Sequence, residues 1–126
     1  MVLRSSVLLL GLGLLTGAPA SLHAQGLVPD SQIRAINTAR NAAVTANGGL
    51  SVYRPAKCMF ETTNPFNKCL ISNDDNGFVF RFLGGPPGWQ QLNLQPTLQT
   101  QIRISSDGRT VLQTIYNGPP QSNEQQ

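Results

Sequence analysis

The 126-residue chain contains a single histidine, and this scarcity removes several classes of catalytic and metal site. That residue is His23, close to the N-terminal apolar segment. A structural zinc site needs four ligands, usually cysteine or histidine, and the chain adds only Cys58 and Cys69 to that set. Serine and cysteine nucleophiles need a nearby base, which is most often histidine. The sequence therefore predicts no catalytic set of these kinds, no bound metal and no cofactor.

Long apolar runs and clustered cations are also missing. The N-terminal apolar run, Val7–Leu15, has nine residues, whereas a membrane span needs about 20. No three basic residues are adjacent, while nucleic-acid-binding proteins concentrate lysine and arginine on one face or in runs. We therefore expect neither stable membrane insertion of the mature chain nor a nucleic-acid partner.

The first residues have the three parts of a secretory signal peptide. Arg4 precedes the apolar run, and small residues follow it. Cleavage after Ala20 fits the small-x-small pattern, and cleavage after Ala24 is the alternative. The sequence thus predicts a signal peptide over residues 1–24 and a secreted or periplasmic mature protein with one domain over residues 25–117.

The two cysteines are separated by ten residues, and export favours a disulfide between them. A redox motif would favour the closer Cys-x-x-Cys spacing. A cysteine nucleophile would need a base that the mature chain scarcely provides. We expect a structural disulfide between Cys58 and Cys69, with free thiols and with redox or metal chemistry as the alternatives.

Apolar periodicity predicts one helix before a sheet. An alanine-rich run with helical spacing follows Asp30 and Ser31, either of which is expected to cap its first turn. Asn47–Gly49 is expected to end the helix, because glycine takes the left-handed conformation that closes helices. Arg40 falls within the apolar stripe. Either its stem covers the edge of the core, or its head pairs with a carboxylate such as Glu61.

After the helix the apolar period changes to two, which is typical of strands. Phe78, Phe80 and Phe82 would share one buried face. A helix across one face of a sheet buries both apolar surfaces, so we expect an α+β fold with one N-terminal helix packed on a four- or five-stranded antiparallel sheet. Residues 118–126 are expected to form a disordered tail. The first predicted strand is Leu50–Tyr53, which is interrupted at Arg54–Pro55 and continues at Ala56–Phe60. The other predicted strands are Cys69–Ser72, Phe78–Leu83, Leu98–Ile104 and Thr110–Tyr116.

This order of elements, over about residues 31–117, is similar to that of cystatin-like and PepSY-like modules. The resemblance implies a small exported bacterial domain in which a helix lies on a curved antiparallel sheet. The cysteine loop and the glycine-rich segment after Phe82 depart from the usual PepSY pattern. The run from GGLSVYRPAKCMF to ISSDGRTV also resembles small uncharacterised secreted proteins of cyanobacterial type, a resemblance that brings no known activity.

Two loops are the candidate binding sites. The loop between the cysteines presents Glu61 and Phe66, and the stretch GGPPGWQQ holds Trp89, the one tryptophan. Proline lowers the cost of ordering a contact, and tryptophan is enriched at binding hot spots. Alternatively, Trp89 covers the open end of the core. We expect a non-catalytic module that binds a protein or cell-envelope component. A small exported hydrolase using Glu61 and a thiol redox protein are the alternatives.

Overall fold

The computed structural model of the chain describes residues 11–14, 17 and 27–122. Of the predicted signal peptide, only residues 11–14 and 17 are described. Both predicted cleavage sites lie outside the described residues. No helix in the described ranges is long and apolar enough to cross a membrane.

The helix, α1, spans Asp30–Ala46. The predicted side-chain cap is wrong: Pro29 is the N-cap and no side chain caps the helix, because Asp30 already lies within the first turn. There its charge suits the positive end of the helix dipole. The predicted end is confirmed. Gly48 and Gly49 both take positive φ (98° and 94°), and the Gly49 N–H donates to the Val44 carbonyl oxygen at 2.9 Å.

Five antiparallel strands form one sheet around a long central strand. The central strand, β3, pairs with β4 along one side, and β4 pairs with the edge strand β5. On its other side β3 pairs with β1 near its C-terminal end and with β2 near its N-terminal end. This arrangement confirms the predicted α+β fold with one helix on an antiparallel sheet. The strands are β1 (Arg54–Pro55), β2 (Leu70–Asp74), β3 (Gly77–Gly85), β4 (Leu98–Ile104) and β5 (Val111–Gly118).

The core lies between α1 and one face of the sheet. The helix contributes mainly small side chains to it, which lets its backbone approach the large aromatic side chains of β3. The predicted burial of the three phenylalanines on β3 is confirmed. Burial of each such ring contributes about 1.5–3 kcal/mol to folding. The core side chains of α1 are Ala35, Ile36, Ala39 and Ala43, and those of the sheet include Phe78, Phe80, Phe82, Ile102 and Ile104.

The strand predicted over residues 50–60 is wrong. Leu50–Tyr53 forms turns, and the pair expected to interrupt the strand, Arg54–Pro55, is β1 itself. Proline is tolerated there because β1 lies at the edge of the sheet and Pro55 faces Gly84. Lys57–Phe60 is a short 3-10 helix, which we call η1. It turns Cys58 and Met59 into the core.

Arg40 connects α1 to η1, but not through the alternative partner Glu61. Its Nη1 donates to the Met59 carbonyl oxygen at 2.9 Å. Its guanidinium carbon lies 4.9 Å from the centroid of the Phe60 ring, a cation–π distance. Partial burial lowers the pKa of Arg40. The Arg40 side chain thus connects α1 to both Met59 and Phe60 of η1.

The turn between β4 and β5 fastens the sheet to the start of α1. Arg34 Nε donates to the Asp107 carbonyl oxygen at 3.0 Å, and Thr38 Oγ1 donates to the Gly108 carbonyl oxygen at 2.7 Å. Gly108 has φ of 78°, and a Cβ added there would lie 2.2 Å from the Ser31 carbonyl oxygen. Only glycine fits this contact between turn and helix.

The described end of the chain folds back onto the sheet. Gly118 is the last residue of β5, and the Gln121 N–H donates to Gln99 Oε1 at 2.8 Å. This contact accompanies complete burial of Gln99 on the face of the sheet opposite α1. The predicted tail over residues 118–126 lies outside the described residues from position 123 onward.

Tyr53 is the buried titratable group of this core. Its side chain is 1% exposed and packs on Gly84, where an added Cβ would lie 2.2 Å from Tyr53 Cε2. Its hydroxyl lies near that of Thr100, which donates to Asn117 Oδ1 at 2.7 Å. The buried Tyr53 hydroxyl has no well-formed hydrogen bond. Burial, opposed weakly by Thr100, raises the pKa of Tyr53 to about 12.

We expect stability to fall in alkali because of Tyr53. Its folded-state pKa of about 12 lies above the ordinary 10.0, so the contribution of neutral Tyr53 to the free energy of unfolding is fully present below pH 10. It is lost as the pH rises towards 12, by about 2 kcal/mol. Urea unfolding at pH 8, 10 and 12 measures this loss, and Tyr53→Phe should remove it. Equal losses in the wild type and in Tyr53→Phe would contradict the assignment.

Candidate functional site

The loop that holds Trp89 is joined to the two elements that precede the cysteine loop. The indole Nε1 of Trp89 donates to the Arg54 carbonyl oxygen at 2.9 Å, and Gln90 Oε1 accepts from the Lys57 N–H at 2.7 Å. One hydrogen bond therefore attaches the loop after β3 to β1, and the other attaches it to η1. These four residues form a clasp between segments that are more than 30 positions apart in the chain.

The glycines and prolines of the second loop place Trp89 against the core. A Cβ at Gly85 would lie 2.9 Å from Trp89 Cγ, so the indole packs on bare backbone. The backbone N–H of Trp89 donates to the Pro86 carbonyl oxygen at 3.0 Å, and Gly88 has φ of 78°. Trp89 is 7% exposed and belongs to the hydrophobic core. Of the two alternatives for this residue, the structure shows the one in which it covers the end of the core.

Two cavities adjoin one another at the clasp. The first has a volume of about 410 Å³ and lies towards the disulfide, with Cys58, Glu61 and Lys68 among its lining residues. The second, of about 640 Å³, lies towards β1 and is lined by residues that include Arg54, Phe60 and Leu92. Both volumes fall within the usual range for ligand pockets. Since both cavities share Lys57, Trp89 and Gln90, we call them together the Trp89 groove.

The structure brings together two of the three predicted binding residues. Glu61 and Trp89 line the first cavity, whereas Phe66 lines neither and is 88% exposed at the end of its loop. Sequence reasoning missed Phe60 and Leu92, which are 49% and 66% exposed. Phe60 was hidden by the wrong strand prediction. The available signal was position, since Phe60 lies between the two cysteines and Leu92 directly follows the stretch GGPPGWQQ.

The disulfide closes the loop that forms the wall of the first cavity. Cys58 and Cys69 are bonded, with their Cα atoms 5.9 Å apart, and both are buried. The predicted disulfide is confirmed. In the chain-entropy account, closing a loop of this length contributes about 3 kcal/mol.

Asn67 organises the same loop from within. Its Nδ2 donates to the carbonyl oxygens of Cys58 at 2.7 Å and of Glu61 at 3.1 Å. Its Oδ1 accepts from the Cys69 N–H at 2.9 Å. Asn67 is buried and joins both ends of the stapled segment, so it holds the loop in shape.

Asn64 holds the exposed end of the loop. Its Oδ1 accepts from the Phe66 N–H at 2.9 Å, which is a local turn of the kind that asparagine favours. Its Nδ2 donates to Glu61 Oε2 at 3.2 Å. The Glu61 carboxylate is thus tied to its own loop, while Phe66 is presented to solvent.

The groove presents few of the groups that the alternative chemistries need. Glu61 is the one carboxylate among its described lining residues, and paired acid–base hydrolysis needs a second group. The described part of the chain has no cluster of three histidine, cysteine or acidic residues that could hold a metal ion. A redox centre needs accessible sulfur, whereas Cys58 and Cys69 are buried.

No protein-family model matches the chain, and neither a curated protein nor a solved structure matches it. The resemblance to cystatin-like and PepSY-like modules and to small secreted cyanobacterial proteins stays a prediction.

We expect Asn67→Ala to destabilise the fold by about 1–3 kcal/mol, because it leaves the buried Cys69 N–H without a partner and removes one of the two hydrogen bonds to the Cys58 carbonyl oxygen. Asn64→Ala, in the same loop, should cost less than about 1 kcal/mol, because its contacts lie nearer to solvent. Urea unfolding of the oxidised proteins measures both values. Equal costs for the two variants would show that Asn67 does not organise the loop.

Proposed function

We propose that the chain is an exported, disulfide-stapled, non-catalytic module that binds a segment of another protein, or a component of the cell envelope, in the Trp89 groove. The observation that carries this proposal is the clasp. Trp89 and Gln90 fasten the loop after β3 to β1 and η1, and a groove with an apolar lining results between them.

The contacts around the groove favour a binding role. Phe60 and Leu92 expose large parts of their side chains beside an indole that forms the floor. Clustered apolar side chains in a concave site are typical of ligand and peptide binding. The staple, Asn67 and the clasp fix both walls before a partner arrives, which lowers the ordering cost of binding.

Export is supported by the N-terminal pattern and by the disulfide. Disulfides form and persist mainly outside the cytosol. The confirmed bond between Cys58 and Cys69 agrees with the secreted or periplasmic location that the apolar run predicts. The stapled wall of the groove would then be stable in the compartment where it acts.

Export predicts a shortened protein. When the full chain is expressed in a Gram-negative host, we expect the mature form, beginning at Ser21 or Gln25, in the periplasm or the medium. Intact-mass measurement of each fraction locates the cleavage site. Leu10→Arg interrupts the apolar run and should leave the uncut chain in the cytoplasm. Recovery of uncut wild-type chain from the cytoplasm would contradict the proposal.

Binding in the groove predicts a loss of affinity on removal of its apolar side chains. Peptides selected on the immobilised protein from a random displayed library should bind Phe60→Ala and Leu92→Ala about tenfold more weakly than the wild type, equivalent to about 1.4 kcal/mol. Ile71→Ala is the matched control, because Ile71 is an exposed apolar residue of β2 outside both cavities.

Isothermal titration of the selected peptides measures these affinities, and circular dichroism checks that each variant is folded. Two results would overturn the proposed function. One is a library that yields no binding peptide. The other is a set of selected peptides that bind both groove variants as tightly as they bind the wild type.

A further inference from the structure

We propose that the Trp89 groove takes an acidic, extended polypeptide segment, in which carboxylates flank an apolar side chain. This inference rests on the proposed function and specifies the chemistry of the partner. It is carried by the distribution of charge along the groove, together with the shape and apolar lining of the larger cavity.

The groove is lined by more cations than anions. Arg54, Lys57 and Lys68 line it, and Glu61 is the one acidic residue among the described lining residues. Glu61 also accepts a hydrogen bond from Asn64, which satisfies part of its carboxylate. The groove therefore has an uncompensated positive charge, and anionic groups are its electrostatic complement.

The cations are placed to receive carboxylates. Lys57 and Lys68 are exposed, and neither forms an ion pair with another residue that the structure describes. Arg54 is also exposed, and its Nε donates to the Leu50 carbonyl oxygen at 3.0 Å. That bond orients the guanidinium plane and leaves the terminal nitrogens for a planar carboxylate, the geometry that arginine binds best.

The larger cavity supplies the apolar contact between these charges. The Phe60 ring is held from behind by the Arg40 guanidinium and still exposes half of its area. Leu92 and Trp89 complete the apolar lining, and the volume of about 640 Å³ accommodates a large aliphatic or aromatic side chain. Arg54 and Lys57 line this same cavity, so carboxylates beside that side chain would meet them.

An extended chain fits this layout better than a small anionic amphiphile. Arg54 belongs to one cavity, Lys68 to the other, and Lys57 to both. A single carboxylate on an apolar tail would use one cavity and leave the remaining cations without a partner. Residues two positions apart in an extended strand share one face, so a segment with carboxylates two positions before and after an apolar residue presents all three side chains along the same groove.

The test uses Trp89 as its reporter, because it is the one tryptophan in the chain and lines both cavities. Short synthetic peptides of the pattern X-Ala-Leu-Ala-X, in which X is glutamate, glutamine or lysine and shares one face of the extended chain with leucine, are titrated into the oxidised protein, and the emission of Trp89 is followed. We expect the glutamate peptide to bind at least about tenfold more tightly than the glutamine peptide. We expect the lysine peptide to bind most weakly.

Charge reversal identifies the cations that act. Lys57→Glu and, independently, Lys68→Glu should weaken binding of the glutamate peptide by about tenfold and should reduce the preference for the glutamate peptide over the glutamine peptide. Arg109→Glu is the matched control, since Arg109 is an exposed cation outside both cavities. High salt should lower the affinity for the glutamate peptide towards that for the glutamine peptide, because exposed charges are screened.

The outcomes separate the two proposals. Equal affinity for the glutamate and glutamine peptides, or no binding of either, would overturn the inference about acidic partners. Tighter binding of dodecanoate than of the glutamate peptide would also overturn it, in favour of a small amphiphile. In each of these cases the proposed function is judged separately, by whether library-selected peptides depend on Phe60 and Leu92.

Discussion

The contact on which the groove depends is the packing of the Trp89 indole on Gly85, with its nitrogen bonded to the Arg54 carbonyl oxygen. This contact closes the end of the core and at the same time attaches the loop after β3 to β1. Without it the loop would have neither a fixed path nor an apolar floor. The side chain that closes the core is therefore the one that shapes the candidate site.

The opposite wall has several independent supports. The disulfide joins its ends, Asn67 bonds to the backbone at both ends, and Arg40 connects α1 to η1 through the Met59 carbonyl oxygen. A covalent bond, a buried amide and a partly buried arginine thus restrain one short segment. Such restraint is typical of loops that contact a partner, because a loop that is already ordered loses less conformational entropy on binding.

Sequence reasoning predicted the elements whose apolar pattern is long and regular. The helix, β3 and the hairpin of β4 and β5 could be identified because their periodicity extends over seven or more residues. It failed between residues 50 and 60. There the structure depends on a distant partner, since Pro55 becomes a strand residue only through pairing with Gly84. No local pattern encodes that partner, and η1 was hidden with it.

The candidate site could also be predicted from the sequence only in part. Sequence reasoning found Glu61 and Trp89 from loop chemistry, but it could not show that the loop after β3 contacts β1 and η1, because the clasp joins residues that are far apart in the chain. The role of Trp89 changes as a result. Replacing a buried indole would disturb folding and binding together, so loss of binding on its removal would not identify a contact with the partner. Replacing the exposed side chains of Phe60 or Leu92 can reveal an effect on binding without an effect on folding, because much of their surface lies outside the core.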